Sequence, residues 1–284
     1  MKAAILYSSF FNPDGTERVI GGIQTYLLNV ARVCKEMGIE PTIYQWSNQP
    51  FEKIQDEIVV RGIPVLHLPY KRRPSSLFAS VLREVNECND IVVFGSDSQS
   101  VRSNCKRAIS IQHGIGWDLP ARFLTSHTLC QGGVIGSLYK ACVRRRFIQY
   151  YERCPNRVCV DYNFPNWYRT YLVSELPGRN WIITNFTRVP SADEVESMGR
   201  EDGVTRILFA RRFCEFRGTR IMAVAVRSVL ASRSNVELTF AGEGPDENWL
   251  RQCFAGESHV RFIKYDPDES LKIHLNHHLS LIHI

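Results

Sequence analysis

The feature that most constrains this chain is an alternation: short apolar runs, each followed by a stretch whose apolar residues recur at helical spacing. Runs at 3–7, 42–46, 63–68, 91–94, 108–112, 157–160 and 181–184 predict strands, because a strand covered on both faces has no solvent side to carry polar residues. After the first run, Ile23, Tyr26, Leu27, Val30, Ala31, Val33 and Cys34 fall three or four residues apart, which predicts a helix over 23–37 stopping at Gly38. Helices are likewise predicted over 77–85 and 134–151. Strands that alternate with helices pair through βαβ crossovers, so the expected fold class is α/β with a mostly parallel, doubly wound sheet.

A polar, acidic stretch at 190–202, with Asp193, Glu194, Glu196, Glu201 and Asp202, separates this series from a second one. There the pattern predicts strands at 206–210, 236–241, 260–263 and 279–284, with helices at 218–230, 247–254 and 268–277. The length of 284 residues exceeds one domain of roughly 150. Two domains are therefore expected, at 1–188 and 189–284. The second series fills only about half of a doubly wound domain and ends on the apolar Leu279-Ser280-Leu281-Ile282-His283-Ile284, so a C-terminally truncated second domain is expected.

Composition excludes several classes. With 44% hydrophobic and 23% charged residues, the chain can bury a core and is not disordered. No run of about 18 apolar residues exists, so no spanning helix is predicted. The opening Met1-Lys2-Ala3-Ala4-Ile5-Leu6-Tyr7 is too short for a secretory signal and reads as a strand. Nine dispersed cysteines without a C-x-x-C pair predict free thiols and a cytoplasmic location. A net charge of +6 does not suit a nucleic-acid partner. Basic residues gather at Lys71-Arg72-Arg73 and at Arg144-Arg145-Arg146, the latter within the predicted helix that carries Leu138, Tyr139, Val143, Phe147 and Ile148. That pattern fits either peripheral contact with an anionic membrane or the solvated side of a surface helix. His274 and His278 stand four apart, but without a H-E-x-x-H glutamate or a third ligand no metal site is predicted.

Four places could carry chemistry. Gly21-Gly22 lies between the first strand and first helix, where backbone N–H groups can cradle a phosphate; it also reads as a plain glycine turn. His113-Gly114 directly follows a buried strand, at the edge where α/β proteins place ligands, and is either a sugar-contacting imidazole or a structural hydrogen-bonder. Arg211-Arg212 and Arg217-Gly218 bracket a strand-to-helix loop, which suits a diphosphate through charge-assisted bonds. Gly242-Glu243-Gly244-Pro245 ends the next strand: its glycines permit close ligand approach, its carboxylate could accept from a nucleoside, and a tight turn is the alternative. The dinucleotide G-x-G-x-x-G fingerprint is absent, which disfavours a dehydrogenase.

Taken in order, the Gly21-Gly22 loop, His113-Gly114, Ile207-Leu208-Phe209-Ala210-Arg211-Arg212-Phe213, Arg217-Gly218 and Phe240-Ala241-Gly242-Glu243-Gly244-Pro245 resemble the large retaining family of GT-B glycosyltransferases (glycosyl transferases group 1, family 4). Residues 158–161 and 182–185 resemble that family's strand before a helix and its strand near the hinge. The resemblance implies two Rossmann-like domains, transfer of a hexose-type sugar from a nucleotide-diphosphate donor to a glycan or lipid-linked acceptor, retained anomeric configuration and no obligatory metal or other cofactor. Polysaccharide synthesis for the cell envelope is the implied setting. By position it implies that Gly21 and Gly22 contact donor phosphate or acceptor, that His113 touches the transferred sugar, that Arg212 and Arg217 hold the diphosphate, and that Gly242 and Glu243 lie near the nucleoside. Arg217 stands where the family has Lys, and Arg211 where it has Gly. The family's E-x7-E element would follow residues 279–284; without it the resemblance implies weak donor binding. A nucleotide-sugar epimerase and a non-catalytic glycan- or nucleotide-binding subunit fit the same frame.

Overall fold

A computed structural model describes residues 1–19, 21–117, 125–186, 191–193 and 203–264, together with the backbone of 279–280. The chain divides into two compact units, Met1–Thr187 and Arg188–Ile284.

The first unit runs β1 (Lys2–Tyr7), α1 (Gly22–Glu36), β2 (Glu40–Ser47), β3 (Phe51–Gln55), β4 (Ile58–Pro64), α2 (Arg73–Val81), β5 (Ile91–Phe94), β6 (Ala108–Gln112), α3 (Gly133–Tyr151), β7 (Asn156–Cys159), α4 (Asn163–Leu172) and β8 (Arg179–Ile182). Its strands form one sheet in the order β3-β4-β2-β1-β5-β6-β7-β8, parallel throughout except for β3. β1 shows why this sheet must be covered twice. Its alternate residues split between two cores: Ala4 and Leu6 pack with Leu77, Phe78 and Val81 of α2, while Ile5 packs with Leu27, Leu28 and Ala31 of α1. A helix therefore lies on each face. Each fully buried Ile or Leu here contributes about 1.5–3 kcal/mol.

The strand order reverses between β1 and β5, since β2 and β4 lie on one side of β1 and β5 to β8 on the other. Such a switch point opens a crevice at the carboxyl ends of the strands. After β8 the chain returns over α1, where the Tyr26 hydroxyl donates to the Ile183 carbonyl at 3.1 Å and Asn29 Nδ2 to that of Phe186 at 2.7 Å.

Two sequence expectations need correction. The run at 63–68 is not a strand of its own; β4 occupies Ile58–Pro64 and pairs antiparallel with β3 in a tight hairpin. Its two turn residues, Asp56 and Glu57, have φ of 49° and 62°. They adopt the left-handed region without the usual glycine or asparagine, and α1 holds the tip through Arg32–Asp56 at 2.9 Å and Lys35–Glu57. The helix expected at 77–85 begins earlier, at Arg73, because Pro74 occupies its first turn, and the regular helix ends at Val81. A further helix, α4, occupies the aromatic stretch after Tyr162.

The second unit runs β9 (Thr205–Ala210), α5 (Thr219–Ser232), β10 (Val236–Ala241), α6 (Glu247–Cys253), β11 (Val260–Ile263) and β12 (Leu279–Ser280). All four strands are parallel, in the order β11-β10-β9-β12. Leu279 and Ser280 register with Ile207 and Leu208, so β12 lies on the side of β9 away from β10 and a second switch point sits beside β9. Residues 281–284, the helix expected at 268–277 and most of the acidic stretch at 190–202 lie outside the described residues. Phe209, Phe213, Phe240 and Leu250 are fully buried and pack with Met222 and Val226 of α5.

Among the described residues no helix is long and apolar enough to cross a membrane. All nine cysteines are unpaired. Among the described residues no group of three or more His, Cys, Asp or Glu side chains is placed to hold a metal ion; His274 and His278 lie outside them.

Candidate functional site

In the first unit, three sequence-predicted residues sit around the switch point. Gly21 caps α1 in extended conformation, and Gly22 opens the helix where an added Cβ would meet nothing within 4 Å. No acidic side chain occupies that first turn, and while the Gln24 side-chain oxygen lies against Gly21, the space beside Gly22 is open. His113 follows β6, and its Nε2–H donates to the Gly95 carbonyl at the end of β5, 2.8 Å away. Its ring meets Tyr26 of α1 edge-on at 5.6 Å. Burial lowers the imidazole pKa, so the ring is neutral at pH 7. With Nε2–H committed to a carbonyl, Nδ1 carries the lone pair. His113 is therefore left with an acceptor at Nδ1; its one N–H is already engaged.

Sequence reasoning missed a neighbour. Asp97, two residues beyond Gly95, is buried in the 3-10 turn that follows β5. Its Oδ1 accepts from the Ser98 amide at 2.8 Å, whereas Oδ2 has no partner. Burial pushes its pKa up to about 7, against the lowering effects of the Ser98 amide and the Ser96 hydroxyl. Asp161, after β7, accepts from the Asn163 amide at the start of α4, 2.9 Å away. Both carboxylates act on the Cys159 thiol, whose pKa burial raises to about 11. The signal was present in Gly95-Ser96-Asp97, which directly follows a buried strand as His113 does. The nearby aromatics are core: Phe164 and Tyr168 of α4 are buried against Tyr151 and Trp117.

In the second unit the loop after β9 is rigidly built. Phe213 is fully buried, and the Thr219 hydroxyl accepts from the Cys214 amide at 2.9 Å while donating to the Cys214 carbonyl at 3.0 Å. This fixes 213–219 and leaves Arg212 and Arg217 exposed beside the N-terminal end of α5. Gly218 adopts φ +79°, which favours glycine, and an added Cβ there would meet open space. Arg211 is drawn in as well: burial, and then the charge of Arg217, lowers its guanidinium pKa. The structure thus couples Arg217 to Arg211 electrostatically, both on the loop that the sequence pattern pointed to. Like charges brought together at a helix N-terminus favour a bound anion.

Gly242 and Gly244 have a different reason from the one expected. A Cβ on Gly242 would stand 2.2 Å from the Arg211 carbonyl oxygen, and one on Gly244 2.3 Å from that of Phe213. Their absence of side chains lets the two loops lie backbone to backbone. There the Phe213 amide donates to Glu243 O and the Asp246 amide to Phe213 O, both at 3.0 Å. The glycines serve loop packing; the Glu243 side chain is exposed.

No family model and no curated protein sequence matches the chain. Solved structures do. The catalytic domain of starch synthase IV from Arabidopsis thaliana, bound to ADP and acarbose, is 12% identical with a TM-score of 0.56, over 98% of this chain and 77% of that one. HepE from Anabaena, in complex with UDP and glucose, is 12% identical with a TM-score of 0.61, over 99% and 73%. WaaG, a glycosyltransferase involved in lipopolysaccharide biosynthesis, is 16% identical with a TM-score of 0.57, over 94% and 71%. Two doubly wound units in series and these neighbours give one conclusion: the chain has the GT-B fold.

Proposed function

We propose that the chain is a retaining glycosyltransferase that moves a hexose-type sugar from a nucleotide-diphosphate donor to a glycan or lipid-linked acceptor in envelope polysaccharide synthesis. The observation that carries this reading is the arginine cluster on the rigid loop after β9, with Arg211 and Arg217 within electrostatic reach beside the start of α5. In the reaction the bond from the anomeric carbon to the diphosphate oxygen breaks and an acceptor hydroxyl oxygen takes its place. Negative charge grows on the leaving diphosphate, and the hydroxyl proton passes to it. Arg212 and Arg217 neutralise that charge without a metal, and the open N-terminus of α5 adds its dipole. The first unit takes the acceptor side, where Gly21 and Gly22 begin α1, Gly22 leaving room, and His113 accepts from a sugar hydroxyl. Gly242 and Glu243 lie toward the nucleoside.

Support also comes from the company the fold keeps, since the starch synthase and HepE structures hold ADP and UDP. The test is calorimetric titration of the chain with ADP, UDP and GDP and their glucose conjugates. One nucleotide is expected to bind, and Arg212→Ala and Arg217→Ala each to weaken it about 10- to 100-fold, the range for a lost charge-assisted bond. Absence of binding to all of them, or binding indifferent to both substitutions, overturns the reading. Binding without sugar transfer to any acceptor makes the chain a nucleotide-binding subunit instead.

A further inference from the structure

Helix α3 is basic and also exposes apolar residues where a solvated helix would carry polar ones. Val134, Ile135 and Leu138 are 77%, 53% and 62% exposed, and Leu129 in the turn just before the helix is 67% exposed. With Ala141 and Cys142 they form one outward stripe over the first half of the helix. The same stripe continues into Arg145 and Arg146, also exposed. No acidic residue lies anywhere between Asp118 and Glu152. At 1.5 Å per residue the apolar part spans about 10 Å, and the arginines follow about 10 Å beyond Leu138.

We infer that this face of α3 docks the chain on an anionic lipid surface, the apolar first half entering the interface and Arg145 and Arg146 pairing with lipid phosphates. The dimensions suit it, since interfacial helices bury an apolar face about 5–10 Å into the headgroup and acyl boundary. Charge selects the occupant. An uninterrupted basic stretch is drawn to anionic headgroups, and arginine stems can lie along apolar surface with their guanidiniums at phosphate level. A second copy of the chain laid helix on helix in parallel would set arginine against arginine.

The far end of α3 is fastened to the sheet edge described above. The Ser100 hydroxyl donates to the Tyr150 carbonyl at 2.9 Å and to that of Asp97 at 2.7 Å, and Arg153 donates to Ser100 O at 2.9 Å. A docked helix would thus hold the Asp97 turn at a set height above the lipid. That height serves a lipid-linked acceptor if the transferase reading holds; docking itself does not depend on it.

The experiment is co-sedimentation of the full chain, without donor, on vesicles of phosphatidylcholine alone and of an equal mixture with phosphatidylglycerol. Binding to the mixed vesicles is expected, weakened by high salt, with little binding to phosphatidylcholine. The double variant Arg145→Gln/Arg146→Gln is expected to lower partition roughly 25-fold. Ile135→Ser/Leu138→Ser is expected to lower it by about 100-fold. Because these side chains are exposed, the thermal midpoint of each variant should match the parent. No binding to mixed vesicles, equal binding to both compositions, or partition unchanged in both variants overturns the inference. So does a dimer dissolved by Leu138→Ser in a chain that ignores vesicles. The salt dependence of the parent chain tests the charge component even if a variant fails to fold. Nucleotide binding is measured separately, so failure here leaves the transferase reading standing.

Discussion

Asp97 gives the sharpest quantitative test of the first unit. An aspartate ordinarily titrates at 3.8, and burial moves this one to about 7. The folded state therefore holds a proton that the unfolded chain releases at lower pH. Stability from this group is fully present below 3.8 and is lost as pH rises through about 7. The whole shift corresponds to roughly 4 kcal/mol at 1.36 kcal/mol per pH unit. Between pH 5 and 7.5 the share lost is about 2–3 kcal/mol. Asp97→Asn keeps an acceptor for the Ser98 amide and has no charge to bury. The stability of the variant minus that of the parent should therefore climb by about 2–3 kcal/mol from pH 5 to pH 7.5, whatever its starting value. Urea unfolding followed by tryptophan fluorescence reads this, because Trp46, Trp117, Trp167 and Trp181 lie in the first unit and only Trp249 in the second. Parallel pH profiles for the two proteins would show that Asp97 is ionised in the fold, and the burial argument would fail. If activity is found, the same titration should appear in its pH dependence, since a carboxyl near 7 is matched to proton transfer at neutral pH.

Two further outcomes test the backbone arguments. Val173 ends α4 with φ of 49° while 91% exposed, so a branched side chain bears left-handed strain with almost no burial in return. Val173→Gly should raise stability by about 1 kcal/mol, read as a higher thermal midpoint. Gly244→Ala should cost about 2–4 kcal/mol, because its Cβ must push the Phe213 carbonyl away and break the bonds joining the two loops. A denaturation midpoint unchanged from the parent would refute that packing.

Legibility in the sequence followed burial. β10 and β11 fall at the expected residues and β9 differs by one at its start: β9 and β10 are inner strands that are largely buried, and β11, at the sheet edge, still carries the apolar Val260, Phe262 and Ile263. The β3–β4 hairpin escaped because Asp56-Glu57 carries no turn signal; ion pairs from α1 supply what glycine ordinarily does. Helix α4 was implied only by the resemblance of 158–161 to a strand before a helix; apolar spacing did not show it because Pro165 and a run of aromatics disguise it, although a proline in a first turn removes only an amide that has no helical partner. At the site, residue types and edge positions were readable: His113 and Arg212 emerge at strand ends, and Arg217 just ahead of a helix. Two things were not. The direction of the His113 hydrogen bond and the burial of Asp97 depend on neighbours distant in sequence.

The close packing of the two loops in the second unit has a consequence for variation. Positions 242 and 244 tolerate only glycine, since any side chain there meets the backbone of 211–213. Between them Glu243 fixes its backbone through the Phe213 amide yet projects an exposed side chain. The loop is thus an immovable mount with a single interchangeable fitting. A residue swapped in at 243 would change what the mount presents while leaving its position untouched, so the outer surface of this loop can vary at little cost to the fold.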